Sequence, residues 1–181
     1  MNELSDETVR LRAEESSVLV HEVPFAEFPT IDASARLGHD GVVTVDVRFG
    51  RLPPRDDLAG ENVVLVAPTE EGTFGDVPVY TVAGPDNLTG YGVALTEVIE
   101  DHDAPLFVRL DSLTTLLQHV SVDAAFRFVH VLSGRVDRES AVLVASINPG
   151  AHDEQTVATM TQPFDVAVTG EEGDRRIRRR G

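Results

Sequence analysis

Few residues in this chain could do chemistry, and they are scattered. His152-Asp153-Glu154 offers an imidazole and two carboxylates, the donor types of a metal site. Adjacent residues on a helix point in different directions, and ligand pairs on helices want i, i+3 or i+4 spacing. The run therefore reads as the first turn of a helix, with acids facing the positive end of its macrodipole. His119 and His130 fall on separate predicted helices and read as partly buried polar tips rather than ligands. Asp111 follows the apolar run L-F-V-R-L (106–110). It could hold Mg²⁺, but one carboxylate without phosphate rarely does. With Ser112 it is expected instead to cap a helix beginning near Leu113. Arg109, inside the same run, is expected to pair internally, the alternative being an acid on a partner. Asp46 and His21 also fall near predicted strand ends and, with Asp111, are the candidates for an unrecognised enzyme site. No H-E-x-x-H, G-x-S-x-G or G-x-G-x-x-G is present. The chain contains neither cysteine nor lysine, which excludes thiol nucleophiles, zinc ribbons, Schiff-base lysines and a P-loop lysine.

The elements that must position these residues alternate. Residues 8–13 read as a strand or as a helix capped by Ser5, and 17–23 as a strand. Residues 24–39, with Pro24 and Pro29, read as irregular. A strand follows over 42–49, with Val43, Val45 and Val47 on one face. Residues 51–60 (R-L-P-P-R-D-D-L-A-G) read as a linker. Beyond it, 62–67 is a continuous apolar run of the kind buried in parallel sheets, and 77–83 is a further strand. A helix is predicted over 88–101, capped by Asp86 or Asn87, with Leu88, Tyr91, Leu95, Val98 and Ile99 on one face. Strand 106–110 leads to two helices, marked by Leu113, Leu116, Leu117 and Val120, then by Val122, Phe126, Val129 and Leu132 after Ser121. Phe126, Phe128 and Val129 read as core. Strand 141–147, helix 153–160 and strand 164–169 follow, and 172–174 reads as a turn before an edge strand at 175–180. Strands alternating with helices imply βαβ units and a mostly parallel sheet.

Charge narrows the function classes. Acids number 31 against 15 arginines, a net charge of −16, and five of those arginines lie in the last seven residues. Residues 1–174 therefore carry 10 arginines and 31 acids, a net of −21. Such a body repels nucleic acid and anionic membrane. The acid-rich, lysine-free, cysteine-free composition points to a halophilic archaeon with molar salt in its cytoplasm. There the Debye length is about 3 Å at 1 M and the self-repulsion is screened. The arginine tail lacks aromatics for base stacking, which favours a charged edge strand over a nucleic-acid arm. No apolar run approaches the ~20 residues of a membrane span, and residues 1–15 have no signal-peptide core. A cytoplasmic protein is expected.

Three blocks carry a family resemblance: D-N-L-T-G-Y-G-V-A-L-T-E-V-I-E (86–100), the run from L-F-V-R-L-D-S-L (106–113) to V-L-S-G-R (131–135), and N-P-G-A-H-D-E-Q (148–155) through T-Q-P-F-D (161–165). They resemble a haloarchaeal family of uncharacterised proteins related to the KaiC-like branch of the RecA superfamily, the branch that includes the gas-vesicle regulator GvpD. In active members an apolar strand ending in Asp is the Walker B element; Asp111 with Ser112 takes that place here. The opening strand resembles 62–68 (N-V-V-L-V-A-P), with 17–23 as the alternative. The phosphate cradle should follow it as G-x-x-x-x-G-K-[ST], with glycines for close approach and a lysine on the β/γ-phosphates. Instead A-P-T-E-E-G-T-F-G-D follows the first candidate, with Glu70, Glu71 and Asp76 set against a triphosphate, and P-F-A-E-F-P follows the second. Only nine residues separate Ala67 from Val77, too few for a crossover helix.

The expected fold is a three-layer α/β sandwich with a mostly parallel sheet, a degenerate RecA-like core over 61–181. Residues 1–60 form an extension that either completes the sheet or stands as a separate lobe. No catalytic, nucleotide-binding or metal residue is expected, Asp111 and Ser112 being a vestigial Walker B position, and no cofactor. The expected role is a regulatory or protein-interaction module without ATPase activity, with a protein partner or self-association. An unrecognised enzyme site and a nucleic-acid accessory role through Arg175, Arg176, Arg178, Arg179 and Arg180 are the alternatives.

Overall fold

β-Branched runs punctuated by glycine and proline give short strands, and capped amphipathic stretches give helices. In a computed structural model, residues 8–24, 26–50, 52–54, 58, 62–171 and 173–181 are described. Ser5, Glu172 of the predicted turn, and the linker at 51–60 apart from 52–54 and 58 lie outside them. The strands are β1 (Thr8–Arg10), β2 (Ser17–His21), β3 (Thr30–Asp32), β4 (Val43–Val47), β5 (Val63–Ala67), β6 (Val79–Thr81), β7 (Leu106–Leu110), β8 (Ala141–Ile147), β9 (Val166–Thr169) and β10 (Arg176–Arg179). The helices are α1 (Ser34–Leu37), α2 (Leu88–Asp101), α3 (Leu113–Leu116), α4 (Val122–Asp137) and α5 (Glu154–Thr161).

Eight strands form one sheet in the order β10-β9-β2-β8-β7-β4-β5-β6, parallel except where β10 returns against β9. This is the expected α/β architecture. β2 and β4 sit among strands from beyond residue 60, so these two strands of the first 60 residues help complete the sheet. β1 and β3 form a separate parallel pair. β3 and α1 lie in the stretch read as irregular (24–39), and β1 lies in 8–13, read as a strand or a helix.

Alternate residues of each strand serve two different cores. Val43, Val45, Val47, Val108, Leu110, Leu143 and Ile147 pack with Tyr91, Leu95 and Val98 of α2, Leu116 of α3, Val129 and Leu132 of α4, and Met160 of α5. On the opposite face Val18, Val20, Val142 and Val144 meet Ala33 and Leu37, while Leu65 and Ala67 meet Leu58 and Phe74. One face therefore carries the long helices. The other carries a two-stranded ribbon, a four-residue helix and loop side chains.

The caps are the local reason that the helices start where they do. Asn87, Ser112, Ser121 and Asp153 each accept a backbone N–H from the first turn of α2, α3, α4 and α5. The last carbonyls of α4 are satisfied from far away. Arg36 of α1 donates to the carbonyls of Val136, Asp137 and Glu139, and its Nε to that of Ala141 at 2.8 Å.

Gly170 opens the β9–β10 turn at φ +90°, where an added Cβ would lie 2.5 Å from the Asp174 carbonyl oxygen. Gly173 has a similar φ of +84° but open space around it. Gly173→Ala should lower unfolding free energy by about 1 kcal/mol, the cost of a left-handed alanine, and Gly170→Ala by clearly more. Urea unfolding in molar KCl measures both; equal losses would contradict the clash.

Candidate functional site

In open α/β sheets ligands bind outside the carboxyl ends of strands, where the chain's path reverses. Here the connections leaving β2 and β4 supply the thinly covered face, and those leaving β7 and β8 supply the helical face. Reversals therefore occur between β2 and β8 and between β4 and β7, which are neighbours in the sheet. β5 lies one strand from the far edge, whereas β2 lies inside the sheet between β8 and β9.

The crevice between β4 and β7 is closed by its own side chains. Asp46 and Arg48 are two residues apart, on one face of β4 and its extension. Arg48 holds Asp46 bidentately, Nε to Oδ1 at 2.7 Å and Nη2 to Oδ2 at 3.1 Å, and reaches Asp111 Oδ1 with Nη1 at 3.2 Å. The Arg48 and Asp46 side chains are only 20% and 9% exposed, which takes the pair out of the weak surface regime. Tyr91 donates its hydroxyl to the Arg48 carbonyl at 2.6 Å, and burial pushes that phenol well above its ordinary range, so it stays a donor. Phe49 packs on the Tyr91 ring at 5.0 Å and edge-on to Phe128 at 6.3 Å.

Asp111 is therefore neutralised by a guanidinium. Its carbonyl accepts from Ser146 Oγ at 3.0 Å, and Ser112, not Asp111, supplies the cap of α3 through its hydroxyl. Thr114 ties the next loop in: its Oγ1 accepts from the Asn148 N–H and lies 2.9 Å from His152 Nε2. Asp153 caps α5, and hydrogen bonds from Thr156 hold its carboxyl below the ordinary range. His119 stands over Gly50, and the His130 ring stacks on Phe126 at 5.8 Å, so the two serve different contacts. Among the described residues no three His, Asp or Glu side chains gather as a metal-binding group. Arg109 is exposed and has no ion pair among the described residues, contrary to the internal pairing expected of it.

The crevice between β2 and β8 is a pocket of about 350 Å³, lined by His21, Glu22, Glu27, Asn148 and Arg175 among others. His21 is half-buried, and burial lowers its pKa. Among the described residues the backbone after β2 forms no helix until the four-residue α1. These residues do not fit Mg²⁺–ATP. Glu22 and Glu27 line the pocket beside Arg175, and the Asp111 carboxylate is already engaged by Arg48.

The arginine tail forms an edge strand. Arg179 binds the buried Glu15 through Nε at 2.7 Å and donates to the Arg10 carbonyl, which fastens β10 to the start of the chain. Sequence reasoning missed Arg48, Arg36 and Glu15. The D-V-R spacing at 46–48 did carry a signal, since i, i+2 on a strand shares a face. The contacts of the other two span 100 residues or more and carry none.

A sequence model for a family of unknown function, DUF7504, matches residues 34–170. No curated protein matches the chain. Among solved structures, the protein PH0250 of Pyrococcus horikoshii OT3 is similar at 12% identity with a TM-score of 0.55, covering 93% of this chain and 88% of that one. The KaiC-like protein PH0186 of the same organism gives 9% identity and a TM-score of 0.54 over 91% and 79%. PH0321, also from Pyrococcus horikoshii and solved in complex with an unknown peptide, gives 11% identity and a TM-score of 0.51 over 92% and 93%. At these identities the likeness is one of fold, and the fold is RecA/KaiC-like. Among the described residues no helix is long and apolar enough to cross a membrane.

Two outcomes test the site. Arg48→Met should destabilise the fold by about 3 kcal/mol, because Asp46 is left buried and unpaired, while adding Asp46→Leu should recover most of the loss. Additive losses in the double variant would mean the pair is not coupled. For His21, burial disfavours the imidazolium, so the unfolded chain binds the proton more readily. Stability from this group is complete above its ordinary pKa of 6.5 and falls as pH drops toward the lowered folded value. Chemical unfolding at pH 7.5 and 5.5 (chosen as about one unit either side) should show a smaller pH effect in His21→Gln than in the native chain.

Proposed function

We propose, for a chain that belongs to the family of unknown function DUF7504, a regulatory or protein-interaction role that neither binds nor hydrolyses nucleotide. The observation that carries this is the Arg48–Asp111 contact at 3.2 Å. A guanidinium neutralises the carboxylate through which an active relative would support Mg²⁺. A metal ion there would have to displace a charge that also holds the buried Asp46.

Three further observations support the reading. The chain has no lysine to reach a β/γ-phosphate. Glu22 and Glu27 line the pocket at the end of β2, where a triphosphate would meet like charge. A protein of similar fold, PH0321, was solved with a peptide bound, and peptide recognition needs no nucleotide chemistry. The acid-rich composition suits the cytoplasm of a salt-adapted archaeon, where charge repulsion is screened over about 3 Å at 1 M. Polar contact then acts only at touching distance, and partners are held mainly by apolar surface.

Calorimetric titration with Mg²⁺–ATP in molar KCl is expected to give no binding tighter than millimolar. A micromolar dissociation constant would overturn the proposal.

A further inference from the structure

Helices α2 and α4 leave a groove of about 570 Å³ between them on the helix-covered face. Its floor is apolar, built from Leu88, Leu95 and Ile99 of α2 and Phe128 and Leu132 of α4. Its α4 rim carries Arg127, Arg135 and Arg138. With Val131 these residues follow one another at i+4, i+8 and i+11, a single stripe along the helix. Val131 is 69% exposed, and Val93 on the outer surface of α2 is 55% exposed, the two most exposed large hydrophobics among the described residues.

Two glycines sit beside this apolar surface without an internal reason. A glycine inside a helix is roughly 1 kcal/mol worse than alanine. Yet a Cβ on Gly92, which lines the groove, or on Gly134, beside the arginine stripe, would meet nothing within 4 Å. A second backbone laid close against the helices would use that space. The charge of the rim is only partly balanced. Residues 1–174 hold only 10 arginines among 31 acids, and three of them stand here. Arg127 donates to the Asp123 carbonyl at 3.3 Å and Arg135 lies 3.7 Å from Glu139. Arg138 has no side-chain ion pair among the described residues.

We propose that the α2/α4 groove docks an amphipathic helix of a partner protein, apolar face down and acidic flank against Arg127, Arg135 and Arg138. The inference rests on the interaction-module reading and names its surface and partner chemistry. Apolar anchors at i, i+3, i+4 and i+7 enter the floor. The arginine stripe spans about 16 Å, roughly three turns of a partner helix. In molar salt the arginines discriminate by contact, and the affinity comes from the floor.

The test displays a library of helices about four turns long, with one leucine face and flanks of Asp/Glu, Lys/Arg or Ser/Gln, to the full chain in molar KCl. Acidic flanks should be enriched at least about tenfold over basic ones, a 1.4 kcal/mol preference. Val131→Asp should abolish the enrichment, and Arg135→Glu with Arg138→Glu should reverse it; unchanged unfolding midpoints would show that both variants fold. Neutral or basic enrichment, no enrichment, or equal enrichment on Val131→Asp would overturn the proposal. So would a concentration-dependent dimer lost in Val131→Asp, because the occupant is then a second copy. Micromolar ATP binding would remove the underlying reading whichever helices are selected; failed selection without ATP binding removes the groove alone.

Discussion

Connections between parallel strands cross right-handedly, and that rule decides which segment covers which face of the sheet. From β2 the chain runs outward to β4, β5 and β6, then back through β7 and β8 to β9. Outward connections must lie on one face and returning ones on the other. The long, well-capped helices α2, α4 and α5 all fall on the return path. Among the described residues the outward path has the β3 and α1 segment, Leu58 and the turns around Phe74. The two layers are unequal because the sequence spends its helices on one direction of travel.

That inequality shapes the carboxyl edge of the sheet. On the thin face β4 and β7 carry Asp46, Arg48 and Asp111 in place of valine and leucine. An ion triad is a costly filler unless its charges compensate one another. The bidentate contact to Asp46 and the shared guanidinium on Asp111 meet that condition. Asp111 becomes part of the framework, and Arg48 is tied through Tyr91 and Phe49 into the main core. At the other end of the sheet Arg179 does similar work for the buried Glu15. In so acidic a chain, arginines placed at these two points join segments distant in sequence.

Much of the fold was legible in the residues. The apolar run at 141–147 and the L-F-V-R-L run at 106–110 are strands with those limits. Asn87 and Ser121 cap the helices they precede. These signals are local, since a cap reaches three residues and a strand face repeats every two. Less could be read where partners are remote. Residues 24–39 hold β3 and α1, too short to show a period and stabilised by β1 and by the sheet beneath. Asp111 was identified as a strand-end acid, but its partner was not, since the Arg48 contact crosses 63 positions.

By itself the sequence determined what chemistry is missing, for a chain without lysine, cysteine or a glycine-rich phosphate loop lacks those groups in any fold. It also determined the local elements, whose periodicity and caps act within a few residues. Only the tertiary structure decided strand order, the placing of β2 between β8 and β9, the closing of Arg48 on Asp111, and the groove between α2 and α4. Those depend on crossover handedness and on side chains far apart in the chain meeting in a low-dielectric interior, where one guanidinium can settle the fate of two carboxylates.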